Sequence, residues 1–376
     1  MGKPKPIFAL EIGPLAELQY TGIPKVNQML ALQMLEDDAV EARFFRNRQD
    51  IPRAVVERIC AAGSGAMLKW FGGRTDFKHR WPTDAKTPII GVYPNDKTPE
   101  RLFPFEARIV HDLTPLLAPQ FHNSDNIEFF NRVTLRDVLC SDLIVAVSES
   151  TRDDILRYFP GVKGRDVLVA HLAASASSAD DTPTYSNIEP YIVILGTLEP
   201  RKNIGFVLEY LSANPQLLEN YRFVFLGRLG WGEEPAAAVA SEGLRSAMRK
   251  GRIMFTGFVS ETSKEMLVKH AHCLIYGSRY EGFGLPIVEA LAQGVGVVAG
   301  VGSSLVEAGG DVANYFDPTS QSSFETALLK CLRERSDEHV AARRRWAMRF
   351  SWKRFYESIR DESLKLAEQK LAHNVV

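Results

Sequence analysis

The chain has 376 residues, of which 45% are hydrophobic and 24% are charged. Its 45 basic and 46 acidic residues leave a formal net charge of -1, so overall charge does not draw the protein to nucleic acid or anionic lipid. This composition is typical of a soluble globular protein rather than a disordered or disulfide-rich one, and the length predicts two domains.

The cysteines and the N-terminus bear on the cellular compartment. The four cysteines show neither a CxxC pair nor the spacing of a zinc site. We predict that they are reduced thiols in the core of a cytoplasmic protein: Cys60, Cys140, Cys273 and Cys331. No apolar run near the N-terminus is long enough for a signal peptide.

Residues 282–306 form the least polar window and are long enough to span a membrane. Glu289 and Gln293 lie inside this window, and a carboxylate is costly in lipid. We therefore expect a buried helix, a turn and a strand here.

Short apolar runs alternate with stretches of helical periodicity, the pattern of buried parallel strands joined by helices. In the first half, the predicted strands are Ile7–Gly13, Pro88–Tyr93, Arg108–Asp112, Leu143–Ser148 and Val167–Leu172. In the second half, they are Tyr191–Gly196, Arg222–Gly227, Arg252–Gly257, Cys273–Gly277 and Gly296–Gly300. The alternation predicts an α/β fold of two doubly wound, Rossmann-like domains that face each other across a ligand-binding cleft.

Residues 173–187 are small, polar and contain proline, as expected of a linker. We place the domain boundary near residue 180. The predicted domains are therefore residues 1–180 and residues 181–351, with ligands bound by the loops at the strand ends.

The sequence SRYEGFGLPIVEA follows a predicted strand and contains two glutamates separated by seven residues. Gly282 and Gly284 let the backbone approach a ligand, and Pro286 suits the first position of a helix whose free N–H groups can bind phosphate. Glu281 and Glu289 can reach one pocket, where ligand hydroxyl groups would satisfy a buried carboxylate. If each residue is considered alone, the alternative is a glycine loop whose glutamates are exposed or paired within the protein.

The sequence GTLEPRKN, residues 196–203, is a second strand end followed by a helix. A nucleoside diphosphate gains negative charge as it leaves a sugar, and fixed cations stabilise that state more than the ground state. Lys202 and Arg201 can supply these cations. The alternative is a solvated basic helix start.

These two motifs resemble those of the retaining nucleotide-sugar glycosyltransferases of family 4, which have the two-domain GT-B fold. The resemblance implies that Glu281 and the backbone of Phe283, Gly284 and Leu285 contact the donor sugar and phosphate. It also implies that Glu289 binds the ribose hydroxyl groups.

The same resemblance assigns Lys202 to the donor diphosphate. The sequence departs from the family at Thr197, where many members have arginine, and Arg201 is the candidate to replace that charge. In the N-terminal half, the family has a glycine that admits the diphosphate at the position of Gly22 and a sugar-contacting histidine at that of His111. A plain turn and a buried structural histidine are the alternatives at these two positions.

No Asp-x-Asp motif occurs in the chain, although the other common design of nucleotide-sugar transferase uses one to hold a divalent cation. We therefore expect transfer without a metal or another cofactor, with Lys202, Arg201 and a helix N-terminus in that role. His270 and His272 fall on different helix faces and are predicted to be structural.

A cluster near the C-terminus mixes cations with aromatic residues: Arg343, Arg344, Arg345, Trp346, Arg349, Trp352, Lys353 and Arg354. One interpretation is a membrane-surface patch. The interpretation that we favour is a solvated helix face with its tryptophans packed inward. In the family, a helix that opens near Trp352 returns to the N-terminal domain, so we expect residues 352–376 there.

We therefore predict a transferase that moves a hexose from a nucleoside diphosphate sugar to a hydroxyl of a saccharide or lipid-linked saccharide, with retention of configuration. Resemblance to bacterial mannosyltransferases of surface polysaccharide assembly makes GDP-mannose the first expected donor. Nucleic acid is not an expected partner, and peripheral association with the inner face of a membrane is left open. The alternatives are a GT-B-type nucleotide-sugar epimerase or phosphorylase and a non-catalytic sugar-nucleotide-binding protein.

Overall fold

A computed structural model of the chain describes residues 4–18, 20, 22–69, 87–97, 100–175, 189–228 and 241–373. The chain divides into two compact units, one formed by residues 1–172 and 351–376 and the other by residues 173–350. The predicted boundary near residue 180 and most of the predicted linker lie outside the described residues.

The first unit contains a seven-stranded sheet. Its strands are β1 (Ile7–Glu11), β2 (Glu41–Arg46), β3 (Gln49–Asp50), β4 (Ile89–Tyr93), β5 (Phe105–Val110), β6 (Leu143–Ala146) and β7 (Val167–Val169). Their order is β3-β2-β1-β4-β5-β6-β7. Strand β3 is antiparallel to β2, and the other described pairings in this sheet are parallel.

Helices cover both faces of this sheet, as expected for strands that are buried on both sides. In the first part of the chain they are α1 (Ile23–Glu36), α2 (Arg53–Ala62), α3 (Thr114–Leu117), α4 (Ser124–Leu139) and α5 (Glu149–Tyr158). Side chains of Asn123 and Ser148 cap the starts of α4 and α5, which satisfies backbone N–H groups at each helix end.

The second unit contains a six-stranded parallel sheet in the order β10-β9-β8-β11-β12-β13. Its strands are β8 (Tyr191–Leu195), β9 (Arg222–Leu226), β10 (Ile253–Gly257), β11 (Cys273–Tyr276), β12 (Gly296–Gly300) and β13 (Asn314–Phe316). Its helices are α6 (Ile204–Ala213), α7 (Leu217–Asn220), α8 (Glu242–Arg249), α9 (Glu261–Lys269), α10 (Leu285–Ala292), α11 (Leu305–Gly309), α12 (Gln321–Arg333) and α13 (Asp337–Ala347). Both units therefore have the α/β architecture that the sequence predicts.

The strand order reverses beside the first strand of each sheet. In the first unit β1 lies between β2 and β4, and in the second unit β8 lies between β9 and β11. Ligands of open parallel sheets bind beyond the carboxyl ends of the strands at such a reversal. The loops after β8 and β11 are therefore the expected ligand loops of the second unit.

The last helix, α14 (Trp352–His373), belongs to the first unit. Asp37, which follows α1, accepts hydrogen bonds from the Tyr356 hydroxyl at 2.7 Å and from the Arg360 guanidinium at 2.8 Å. Further along the helix, Lys370 donates to Asp142 at 2.8 Å. These polar contacts attach α14 to the N-terminal part of the chain.

Each of the ten predicted strands coincides with an observed strand. The largest difference is at β5, which begins three residues earlier than predicted because Glu106 breaks the apolar pattern. This glutamate is fully buried and is paired with Lys97 at 2.5 Å. Strands β2, β3 and β13 were not predicted.

Two further predictions can be compared with the structure. Three cysteines are buried, but Cys140 is exposed at the end of α4, so its prediction as a core thiol is wrong. Residues 282–306 contain α10, a turn and β12, as expected. Across the described ranges, none of the helices has the length and apolar character needed to span a bilayer.

The basic and aromatic cluster is divided between the surface and the interior: its cations are exposed except for Arg343, for which the expectation of a solvated face is wrong. Arg343 is buried and donates to the carbonyl oxygens of Glu334 and Gly294. The Trp346 indole N–H donates to the carbonyl oxygen of Ala308 at 2.9 Å, and the Trp352 side chain is buried. The tryptophans therefore pack inward, in agreement with the interpretation that we favour.

The Asp37 contacts give a first prediction. Burial alone would raise the pKa of Asp37, but the bonds from Arg360 and Tyr356 outweigh it and hold the pKa below its usual value. Replacement Asp37→Asn removes the charge, and hydrogen bonds to charged groups contribute about 1.5–3 kcal/mol. We expect the midpoint of thermal unfolding, measured by calorimetry at pH 7, to fall by several degrees.

Because the folded pKa is lowered, this stabilisation is present above the unfolded pKa of about 3.9 and is lost as the pH falls through the folded value. The difference between wild type and Asp37→Asn should therefore shrink at low pH. Asp38→Asn is the matched control because Asp38 is exposed beside Asp37. Equal unfolding midpoints for the two variants would contradict a stabilising role for the hydrogen bonds that Asp37 accepts.

Candidate functional site

The loop after β8 is built around a single tight turn. Pro200–Lys202 form a 3-10 helix, and Asn203 follows it with a positive φ of 58°. Asn203 is fully buried; its amide donates to the Pro318 carbonyl oxygen at 2.9 Å. Its Oδ1 accepts from Arg279 at 3.0 and 3.1 Å. These bonds fix the loop that carries Arg201 and Lys202.

The loop after β11 is held against the first one. The Arg279 N–H donates to the Arg201 carbonyl oxygen at 2.9 Å. On its other side, the Glu281 N–H donates to the Ser303 hydroxyl at 2.9 Å, and the Ser304 hydroxyl donates to the Glu281 carbonyl oxygen at 2.8 Å. The backbone of Glu281 is therefore fixed by its own hydrogen bonds, independently of the contacts of its side chain.

Four charged side chains from these two loops form one group, which we call the ion cluster: Glu199, Arg201, Lys202 and Glu281. Lys202 Nζ lies 2.5 Å from Glu281 Oε1, and Arg201 Nη1 lies 2.9 Å from Glu281 Oε2. Arg201 also contacts Glu199 at 2.8 Å. The four side chains are only 7–14% exposed, and their formal charges cancel.

Tyr276, the last residue of β11, completes the surroundings of Lys202. Its hydroxyl accepts a hydrogen bond from Lys202 Nζ at 2.9 Å, and its ring lies 5.0 Å from the same nitrogen. A lysine ammonium has three N–H donors, and two of those of Lys202 are directed to Tyr276 and Glu281. No residue in the described part of the chain accepts the third, which can therefore donate to a ligand.

The pKa of Glu281 reflects this arrangement. Burial alone would raise it, but Lys202 and Arg201 outweigh burial and lower the pKa to about 2. Burial likewise opposes the charge of Lys202, but Glu281 raises its pKa above the usual value. Burial raises the pKa of Tyr276 to about 12. At neutral pH the site therefore holds an ionised glutamate, a protonated lysine and a neutral tyrosine.

Helix α10 begins directly beyond Glu281 and Gly282. Gly284 occupies the N-cap with a φ of 99°, and no side chain caps the helix. Pro286 has no N–H, and the Ile287 N–H donates to the Gly284 carbonyl oxygen. Within the described ranges, the N–H groups of Gly284 and Leu285 have no acceptor. A helix start of this kind favours anions.

The side chain of Phe283 is buried and packs edge-to-face on Phe350, with ring centroids 5.5 Å apart. Only the backbone of Phe283 can therefore contact a ligand in this conformation, which is the role that the family resemblance gives it.

Glu289 lies one turn inside α10 and has a different cationic partner from Glu281. Its carboxylate is 3.0 Å from Lys264 Nζ, and Lys264 also contacts Glu261 at 2.6 Å. Burial opposes the charge of Lys264, but Glu289 and then Glu261 raise its pKa above the usual value. Lys264 therefore holds Glu289 in place and remains charged.

The other two predicted site residues belong to the first unit. Gly22 caps α1 with a φ of 59°. His111 follows β5, and its Nε2 is 2.7 Å from the Pro94 carbonyl oxygen. Because a carbonyl oxygen only accepts, Nε2 carries the proton. Burial lowers the pKa of His111 despite that bond, so the ring is neutral and its Nδ1 is an acceptor.

The contacts of His272 agree with the structural role predicted for it. The His272 ring lies edge-on to Tyr221, and burial lowers its pKa to about 4. No group of three or more metal-ligating side chains occurs within the ranges that the structure describes.

Sequence reasoning missed Tyr276, Glu199 and Lys264. The first two lie within or beside the quoted motifs, and their position at strand ends was the available signal. Lys264 comes from a helix 25 residues before Glu289, and only the folded chain shows that these two side chains meet.

Comparison with known proteins places the second unit in a known family of domains. The sequence profile of the family described as glycosyl transferases group 1 matches residues 183–347. Residues 183–347 form a glycosyl transferases group 1 domain. The matched segment contains the ion cluster and the start of α10.

Among curated proteins, the chain is similar to O-antigen chain mannosyltransferase B of Escherichia coli, with 30% identity over 254 residues. That match covers 64% of this chain and 65% of the relative. The Escherichia coli serotype-specific mannosyltransferase WbdA is 24% identical over 260 residues, which cover 65% of this chain but only 31% of WbdA.

Among solved structures, the chain resembles WaaG, a glycosyltransferase involved in lipopolysaccharide biosynthesis. The TM-score is 0.58 at 13% identity, and the match covers 96% of this chain and 99% of WaaG. This likeness shows that the fold is that of the GT-B glycosyltransferases, and it confirms the predicted fold class.

The ion cluster gives a second prediction. Replacement Glu281→Gln leaves Lys202 and Arg201 without their shared carboxylate, and breaking a buried ion pair from one side costs about 3–5 kcal/mol. At about 2–4 °C per kcal/mol for a unit of this size, the calorimetric midpoint should fall by roughly 6–20 °C. The double variant Glu281→Gln, Lys202→Met should recover part of this loss because it removes one stranded cation.

Glu242→Gln provides the control, since Glu242 pairs with Arg249 on the exposed surface at 2.6 Å and such pairs contribute little. A drop for Glu281→Gln no larger than that for the control would show that the cluster does not stabilise the fold.

Proposed function

We propose that the protein is a retaining glycosyltransferase that moves a hexose from a nucleoside diphosphate sugar to a hydroxyl group of a saccharide or lipid-linked saccharide. The observation that carries this proposal is the position of Lys202 and Glu281. They meet where the strand order reverses, directly before the uncapped start of α10.

The donor diphosphate would bind at the start of α10. The N–H groups of Gly284 and Leu285 and the third N–H of Lys202 provide three donors for its oxygens. These donors are already fixed by the fold, so they stabilise the charge that develops on the leaving diphosphate without reorganisation. We propose that they do so without a metal or another cofactor.

Glu281 would accept hydrogen bonds from the donor sugar. Its low pKa keeps it an acceptor across the physiological range, and both of its oxygens are held by Arg201 and Lys202. Arg201 therefore has two proposed roles. It holds Glu281 in position, and it contributes its own positive charge to the site. Glu289, held by Lys264, would accept the ribose hydroxyl groups.

In the first unit, we assign His111 to a sugar hydroxyl, which its unprotonated Nδ1 can accept. Gly22 would let a ligand approach the start of α1, because no atom of the described residues beyond its chain neighbours lies within 4 Å of where a side chain would begin.

Retention would follow from a reaction on one face of the sugar. The bond between the anomeric carbon and the phosphate oxygen breaks, and the acceptor oxygen bonds to the same face of that carbon. The acceptor proton passes to the departing phosphate, so no side chain needs to act as nucleophile.

Mannose from GDP-mannose is our first candidate donor. Similarity to two mannosyltransferases supports mannose. The name of one of them, O-antigen chain mannosyltransferase B, also supports an O-antigen chain as the acceptor. HepE of Anabaena, whose structure contains UDP and glucose, shares the fold with a TM-score of 0.59 at 15% identity. A UDP sugar is therefore the second donor to test.

The test begins with a thermal-shift panel of GDP, UDP, ADP and dTDP sugars. A ligand that binds only the folded state at 100 times its dissociation constant stabilises it by about 2.7 kcal/mol. We expect one nucleotide to raise the unfolding midpoint and acceptor-dependent release of that nucleoside diphosphate to follow. A folded sample that responds to none of them would overturn the proposal, and conversion of the donor without an acceptor would favour an epimerase or phosphorylase.

Two variants separate the proposed roles. Glu289→Ala should raise the dissociation constant of the donor, whereas Lys202→Ala should lower kcat more than donor affinity, because its charge acts on the leaving group. Glu261→Ala is the matched control, since Glu261 touches Lys264 but is not assigned to the donor. Equal changes in kcat and affinity for both variants would contradict this division.

A further inference from the structure

A second group of polar side chains lies in the first unit, and the proposed function leaves it without a role. Glu11 is the last residue of β1, and Asp96 lies shortly after the end of β4. Strands β1 and β4 are parallel neighbours at the point where the strand order of this sheet reverses. The expected ligand position of the first unit is therefore beside Glu11.

The Glu11 carboxylate is half-buried and has few partners among the residues that the structure describes. Its Oε2 accepts from the Gly13 N–H at 2.9 Å. The charged groups that act on it are Arg46 at the end of β2 and Asp96 after β4. Arg46 donates to the Leu68 carbonyl oxygen, and Asp96 pairs with Arg108 at 3.3 Å.

Burial raises the pKa of Glu11 to about 7, against the lowering effects of Gly13 and Arg46, and Asp96 raises it further. At neutral pH the carboxyl group is therefore divided between two forms. One form only accepts hydrogen bonds, and the other also donates. A hydroxyl group, which both donates and accepts, can pair with either form.

Asn27 provides a second observation at the same place. Its side chain, on the first turns of α1, is fully buried, and its amide N–H donates to the Glu11 carbonyl oxygen at 3.0 Å. Its Oδ1 accepts no hydrogen bond from any residue that the structure describes. Leaving a buried acceptor unsatisfied is unfavourable, so a hydrogen-bond donor of a ligand would stabilise this atom.

We propose that Glu11 and Asn27 form a subsite that binds hydroxyl groups of the acceptor saccharide. This inference rests on the proposed function, since it gives that function its acceptor. The ligand class is an uncharged sugar, because the ionised form of Glu11 and the nearby carboxyl group of Asp96 disfavour a phosphate or carboxylate at this position.

Binding can be tested without turnover. Saturation-transfer NMR would use the full chain with methyl α-mannoside, methyl α-glucoside and mannose 6-phosphate as probes. We expect a neutral glycoside to bind wild type and Glu17→Gln, an exposed carboxylate of the following loop, but to bind Glu11→Ala at least 10-fold more weakly. Failure of both neutral glycosides to bind wild type, or equal binding to Glu11→Ala, would overturn the subsite.

Kinetics provides the second arm, with GDP-mannose as donor and the bound glycoside as acceptor. Glu11→Ala should raise the acceptor KM about 10-fold and leave the thermal shift by GDP unchanged. Glu11→Gln should remove the inflection near pH 7 from the pH profile of kcat/KM for the acceptor. Asn27→Leu should raise the same KM if its oxygen binds the sugar.

The outcomes distinguish the two proposals. Glycoside binding that depends on Glu11, without any transfer, would refute the transferase and keep the subsite. Transfer with an unchanged acceptor KM in Glu11→Ala would refute the subsite and keep the transferase. If Glu11→Ala loses GDP binding as strongly as it loses glycoside binding, Glu11 supports the fold rather than the acceptor.

Discussion

The second unit depends on one requirement: two cations and two carboxylates that have lost most of their water must remain paired. The cost of removing an ion from water is repaid only where the opposite charge and further hydrogen bonds are held in good geometry. Glu281 meets both Arg201 and Lys202, while Glu199 pairs with a further N–H of Arg201 and Tyr276 accepts a further N–H of Lys202. The loops after β8 and β11 cannot separate without breaking these pairs.

This pairing determines how the site can bind an anion. The formal charge of the ion cluster is already balanced. A diphosphate would therefore be bound less by net positive charge than by hydrogen-bond donors that are oriented towards its oxygens. The backbone at α10 supplies such donors. Its N-cap, Gly284, has a positive φ, and a side chain there would begin 3.0 Å from Leu305. Preorganised donors of this kind stabilise a transition state because they need no rearrangement when charge develops.

Much of the fold could be predicted from the sequence because buried parallel strands are continuous apolar runs. Strand β2, with the sequence EARFFR, mixes charged and aromatic residues, and β13 has only three residues; neither gives that signal. The start of β5 was missed because Glu106 is buried with a lysine partner that no local pattern shows. Cys140 was misplaced because residue type alone does not tell which side of a helix end faces solvent.

The site was predictable where glycine, proline and charge occur together at strand ends, as in the loops of Lys202 and Glu281. The pairing of the side chains within the site could not be predicted from the sequence. Glu289 was expected near Glu281, yet its cation is Lys264 from α9, and Glu11 gave no signal because its environment comes from three separate segments. Long-range neighbours of this kind follow from strand order, which a single sequence does not specify.

The most direct measurement is a crystal structure of the full chain with GDP. The account predicts that the diphosphate lies at the start of α10, with oxygens about 3 Å from Lys202 Nζ and from the N–H groups of Gly284 and Leu285. The ribose would lie within hydrogen-bond reach of Glu289. A diphosphate bound elsewhere, with the ion cluster untouched by the nucleotide, would contradict the central claim.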